Sequence, residues 1–171
     1  TILFPIIMMI FAGLMLLAVY LPVRMTLQHN TQYAATALAT RQSDTWLDFD
    51  TSSMKYAWYK DNGSLPNVYA SVLASFFMWD TQDDAEIIVK KLDGKSITTQ
   101  DGNLTVDCEI YNRIIYKEIT VTATKKIRMP VDLSFVKFPT EIDITVSSTA
   151  VVLNGDEFVR NMDLAAEFVA Y

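Results

Sequence analysis

The first twenty-three residues, Thr1 to Val23, carry no charged side chain, and that run constrains the fold more than anything after it. Its composition is almost wholly Ile, Leu, Met, Phe, Ala and Val, with Pro5, Gly13 and Pro22 as the exceptions to helical preference. About 20 such residues cross a bilayer as a helix, at ~1.5 Å per residue. Backbone polar groups in lipid must be satisfied inside the segment, so a lone span is helical. The run therefore needs lipid around it, or copies of the same helix packed against it. A cleavable secretory signal is a poorer fit: its apolar core is ~7–15 residues, and the small-x-small triplet Ala37-Leu38-Ala39 lies well past the end of this one. A chain opening on Thr rather than Met is expected to have had a segment upstream.

Arg24 to Leu47 contains neither Pro nor Gly and has an Ala-rich centre, Tyr33 to Ala39. Leu27, Thr31, Ala34 and Leu38 share one helical stripe, with Arg24, Gln28, Gln32 and Gln42 on other faces. The pattern predicts one long helix from about Ile2 to Leu47, bent at Pro22, where an intrahelical hydrogen bond is lost. Such a helix is ~68 Å long, and the hydrocarbon layer takes only about 30 Å of it. It is expected to project well beyond a bilayer.

The remainder has the makings of one modest α+β domain. Asn62-Gly63-Ser64 marks a break, and Asn67 is placed to cap a short helix carrying Val68, Val72, Phe76 and Trp79. A second short helix is expected over about Asp83 to Leu92, stopped by Asp93-Gly94. From Ile97 the apolar period becomes two. Strands are expected at Leu104–Ile110, Ile114–Met129 and Glu141–Leu153, the first two joined tightly at Asn112-Arg113. One polar face per strand implies an antiparallel sheet covered on one side. A final helix starts at Asn154, with Glu157 three residues on in a capping-box-like arrangement. The expected organisation is an apolar segment over 1–23, its Ala-rich continuation over 24–47, and a head over 48–171.

Charge and residue inventory narrow the function. All 14 basic and 20 acidic side chains lie from Arg24 onward, so the net charge of −6 belongs to the remainder of the chain after the apolar run. An acidic head is a poor ligand for nucleic acid, which needs clustered Lys and Arg. The one cysteine, Cys108, alternates with Val106 and Ile110 and reads as a strand residue facing a core; no internal disulfide is possible. The one histidine, His29, has no partners spaced for a zinc site or a catalytic dyad. Asp80, Asp83, Asp84 and Glu86 lack the spacing of a calcium loop and suit the start of a helix, whose dipole favours acids. Five glycines supply no phosphate-cradling loop. The aromatic stretch between Trp46 and Trp79 is read as core, with an adhesive or subunit-contact surface as the alternative. Asn62-Gly63-Ser64 and Asn103-Leu104-Thr105 fit the N-glycosylation sequon. No cofactor, metal or catalytic residue is expected.

The apolar run with its early Pro5, followed by Gln32-Tyr33-Ala34-Ala35-Thr36-Ala37-Leu38-Ala39, resembles the TadE-like pseudopilins of the tight-adherence branch of type IV pili. Glu157-Phe158-Val159-Arg160-Asn161-Met162-Asp163 is similar to a segment near the C-terminus of some Gram-positive relatives. Together these stretches cover about 45 residues. The family's processing site, a Gly followed shortly by a Glu, does not precede Pro5 here, and a Glu is expected just ahead of Thr1. The resemblance implies a pilin-like subunit that waits in the membrane and then packs its helix into a surface filament. Pro5, Gly13, Pro22, Leu27, Ala34, Ala35 and Leu38 would then belong to the assembly helix. Gly13 and Pro22 are the places where that helix is expected to loosen during transfer. Implied partners are other copies or other pilins, membrane lipid before assembly, and the pilus assembly machinery. A single-pass anchored binding or sensor domain is the alternative, and an anchored hydrolase the weakest reading, given so thin a catalytic inventory.

Overall fold

A computed structural model of the chain describes residues 3–43, 47–58, 79–95, 103–112, 116–128 and 140–152. Helix α1 spans Leu3–Ser43 and continues through Pro22 without a break. At ~1.5 Å per residue it is about 62 Å long. It ends four residues short of the expected Leu47, which instead opens a strand.

The chain then forms a hairpin that the sequence reading did not foresee. Strands β1 (Leu47–Asp50) and β2 (Lys55–Trp58) pair antiparallel, from Leu47↔Trp58 to Asp50↔Lys55. The Asp50 carboxylate organises the turn: it accepts from the Ser52 hydroxyl at 2.6 Å, from Ser52 N–H at 2.8 Å and from Ser53 N–H at 3.3 Å. Met54 adopts a left-handed φ of 57° and donates its N–H to the Asp50 carbonyl at 2.8 Å. These bonds, that of the Ser52 hydroxyl foremost, hold the Asp50 carboxyl down to about 2. A depressed carboxyl contributes stability that is present above its unfolded value near 4 and is lost as the pH falls through the folded one. Local loosening of this hairpin is expected between about pH 4 and pH 2. It would be read from the Tyr56 ring signals, and Asp50→Asn should abolish the pH dependence.

Helix α2 (Trp79–Asp93) starts four residues before the expected Asp83. Its apolar side buries Ala85, Ile88 and Val89, while Glu86 and Lys90 form an i,i+4 ion pair on the exposed side. Gly94 ends it as expected, donating to the Lys90 carbonyl at 2.9 Å. Lys91 donates to the carbonyls of Thr51 and Ser52, tying the hairpin turn to this helix.

Strands β3 (Leu104–Asn112), β4 (Lys117–Arg128) and β5 (Glu141–Val152) form one antiparallel sheet in the order β3-β4-β5. Asn112 pairs with Lys117, so β3 and β4 are joined through 113–116 and not by the tight Asn112-Arg113 link expected. β4 accordingly begins at Lys117 instead of Ile114. Period-two alternation sorts the faces as the sequence implied. Ile119, Val121, Ala123 and Ile127 are buried, with Ile144 and Val146 of β5 beside them. Thr120, Thr122 and Thr124 point the other way and pair their hydroxyls with Thr149, Ser147 and Thr145 at 2.9, 3.2 and 3.0 Å. Such cross-strand hydroxyl pairs stabilise an exposed sheet face modestly. The short helix expected after Asn67 and the C-terminal helix after Asn154 lie outside the described residues.

The C-terminal half of α1 lies on β4 and β5, and α2 packs against α1 and β3. Val23, Leu27, Ala34, Ala35, Ala37, Leu38 and Ala39 of α1 are buried in this core. The four alanines keep that face of the helix narrow, so its backbone can come close to the sheet. Thr31 is also enclosed. Its hydroxyl donates within the helix, to the Gln28 carbonyl at 2.9 Å or the Leu27 carbonyl at 3.1 Å, and accepts from the Ser148 hydroxyl of β5 at 3.1 Å. Neighbouring Asn30 is 5% exposed, and its Nδ2 has no acceptor among the described residues. A buried donor without a partner costs about 1–3 kcal/mol. Asn30→Leu, close in size and a better helix former, should therefore raise stability by about 1 kcal/mol in chemical denaturation.

Candidate assembly interface

The two halves of α1 have opposite environments. From Leu3 to Leu17 most large apolar side chains, Phe4, Ile7, Ile10, Phe11 and Leu14 among them, are between two-fifths and seven-tenths exposed. By length and composition α1 is able to cross a membrane, with its apolar window at the N-terminal end. A contiguous apolar surface this large on a folded chain marks a protein or membrane contact. At Val19 and Tyr20 the head begins to cover the helix, and Val23 is fully enclosed. The free part, Leu3 to Ala18, is thus about 24 Å long. The helix is longer than a bilayer, as expected, and beyond Val23 it is also the spine of the head.

The residues assigned to the assembly helix divide accordingly. Pro5 is exposed in the first turn, where the N–H it lacks has no helical partner to lose. Gly13 is exposed, and a Cβ added there would meet nothing within 4 Å. Pro22 is exposed within the continuous helix. Leu27, Ala34, Ala35 and Leu38, by contrast, are packed inside the chain's own core. They fix the helix to its head and offer no surface to a second molecule.

One ion pair ties α1 to α2, and another ties α2 to the sheet. Arg41, in the last turn of α1, donates to Asp84 of α2 at 2.5 Å. Lys125 is only 2% exposed, and its ammonium lies between both Asp93 oxygens, at 2.9 and 2.7 Å. Asp93 closes α2, where the helix dipole also favours a cation. The sequence reading overlooked Lys125, although the signal was there: it is in phase with Ile119, Val121, Ala123 and Ile127 and so belongs to the covered face.

The remaining polar candidates have ordinary settings. Asp84 is engaged by Arg41, Glu86 by Lys90, and Asp83 is exposed. Among the described residues no group of three or more His, Cys, Asp or Glu is placed to hold a metal ion. His29 is exposed on α1. Cys108 is half-buried on the covered face of β3, and burial, with the charges of Asp107 and Glu109 adding to it, pushes its thiol up to about 11. Because only the thiolate reacts, alkylation of Cys108 in the folded protein at pH 8 should be about a hundredfold slower than that of an ordinary thiol, and should recover on unfolding. Mass spectrometry after timed iodoacetamide treatment would check this.

No protein-family model, no curated protein and no solved structure matches the chain. The resemblance to TadE-like pseudopilins rests on its own residues.

Proposed function

We propose that this protein is a structural pilin or pseudopilin subunit. Its N-terminal helix is held in the membrane and then assembles, by packing against other copies or other pilins, into a surface filament that serves adhesion. The observation that carries this reading is a single helix whose N-terminal half is apolar and uncovered while its C-terminal half is locked into an acidic α+β head. Lipid and neighbouring helices satisfy the same apolar surface, so membrane insertion and assembly are alternative states of one segment. The head covers the helix from Val19 onward, which leaves the apolar stretch before it to lipid and seats the base of the head at the membrane surface. The head's net negative charge opposes nucleic-acid binding and keeps neighbouring heads apart. The pilus assembly machinery is the third partner this reading requires, after lipid and other subunits. No step of it calls for a catalytic residue or cofactor.

Electron microscopy of material from the native cell surface tests the proposal. Filaments that contain this chain are the expected result. Extraction by detergent as a discrete single-copy particle, with no filaments on the cells, would overturn it in favour of a single-pass anchored binding or sensor domain.

A further inference from the structure

The outer face of the β3-β4-β5 sheet, turned away from α1 and α2, carries a restricted set of side chains. Its centre is the three hydroxyl pairs that Thr120, Thr122 and Thr124 of β4 make with β5. Register places β3 beside them: Thr105 is opposite Thr124, Asp107 opposite Thr122, Glu109 opposite Thr120 and Tyr111 opposite Glu118. All four of these β3 residues are exposed. Strands lie about 4.8 Å apart and same-face residues about 6.6 Å apart along a strand, so four rows on three strands make a platform about 10 Å by 20 Å.

Threonine suits any exposed strand, so its presence alone decides nothing. Three other observations narrow what the platform can hold. None of the chain's 14 Lys and Arg residues falls on these rows. Asp107 and Glu109 do, and among the described residues no salt bridge reaches either, so an anionic polymer or lipid headgroup is repelled. Apolar groups are confined to one end, where Tyr111 and Val151 flank Glu118, whereas a protein interface places its apolar anchors at the centre. The hydroxyls, finally, are held ready. Cross-strand pairing at 2.9, 3.2 and 3.0 Å fixes their rotamers, and each pair uses one proton internally, leaving one O–H and several lone pairs for a ligand.

We propose that this platform binds a neutral polysaccharide laid along the strands. Sugar hydroxyls donate and accept at once, which matches the paired Thr and Ser hydroxyls. A carboxylate can accept two O–H groups from one sugar ring in charge-assisted bonds, the stronger kind, and Asp107 and Glu109 supply them along β3. Tyr111 presents a ring face to the C–H side of a sugar, and its hydroxyl, donating to Glu109 at 2.6 Å, keeps that ring in place. The inference rests on the adhesion part of the proposed function and deepens it, by naming the chemistry that the filament would hold.

The full chain, purified in detergent, is mixed with microcrystalline cellulose, with chitin or with beads carrying polygalacturonate, and the protein left in solution is measured. Depletion by at least one of the two neutral polymers, and none by the anionic beads, is the expected result. Asp107→Ala and Tyr111→Ala should each raise the half-saturating amount of that polymer about tenfold. Their near-UV circular dichroism should match the parent protein, because both side chains are exposed. Trp58→Ala, an exposed aromatic of the β1–β2 hairpin, should bind like the parent. No depletion by either neutral polymer would overturn the platform and leave the assembly reading standing, since filaments are scored separately by microscopy. Equal depletion by polygalacturonate, or binding lost in Trp58→Ala and kept in Asp107→Ala, would also overturn it. Polysaccharide binding by a protein that forms no filaments would uphold the platform and reject the assembly reading.

Discussion

Leu14→Arg should remove the protein from the membrane fraction and abolish its assembly, while leaving the head folded. Leu14 is near the middle of the apolar run, is exposed, and belongs to the half of α1 that the head does not touch. An Arg at the centre of a spanning helix costs about 2.5–3.5 kcal/mol of insertion free energy, roughly a hundredfold in the partition between membrane and water. The same charge at a helix–helix contact would sit unpaired between neighbours and repel its own copies. Fractionation followed by near-UV circular dichroism separates the two effects. A native-like spectrum with loss from the membrane pellet is expected; a variant that still pelleted and assembled would show that α1 is not the assembly element. Leu27→Arg makes the contrast. Leu27 is buried against the sheet, so a charge there should unfold the head itself.

The second large effect is expected from Asp93→Ala. That change leaves the Lys125 ammonium enclosed with no counter-charge, and breaking a buried pair from one side typically costs about 3–5 kcal/mol. Asp93 retains some access to solvent, so the lower end applies: about 3 kcal/mol, or a melting temperature lower by roughly 10 °C for a domain of this size. Lys125→Met combined with Asp93→Ala removes both charges and should recover most of the loss, since a well-packed apolar replacement of a buried pair is often neutral or better. If Asp93→Ala alone melted like the parent protein, the pair would not hold α2 to the sheet. Arg41 and Asp84 are more exposed, and the same treatment of that pair should cost well under half as much.

These predictions draw on different levels of the molecule, and they show what could be read before any fold was known. The uncharged run, the Ala-rich stripe containing Leu27, Ala34 and Leu38, and the alternation along β4 and β5 were legible because each is a local period imposed by backbone geometry. The β1–β2 hairpin was not. Its strands are four residues each, too short for a period to stand out, and its turn depends on the Asp50 carboxylate reaching the Ser52 and Ser53 groups. The Lys125–Asp93 pair joins residues on a strand and a helix 32 positions apart, so charge counting alone could not match them.

The sequence by itself determined that the chain has a helix needing lipid or other helices around its first twenty-odd residues, and that an antiparallel sheet with one covered face follows. Composition and periodicity settle such things because each residue's preference for water or for apolar surroundings is its own property. Only the tertiary structure decided how that helix is shared. Its second half, assigned to the assembly helix through Leu27, Ala34, Ala35 and Leu38, packs these residues into the core of the head. The face left over, through Leu21, Met25, Gln28 and Gln32, stays exposed. A helix has one circumference, and which side the sheet occupies depends on contacts between residues more than a hundred positions apart, such as Thr31 and Ser148.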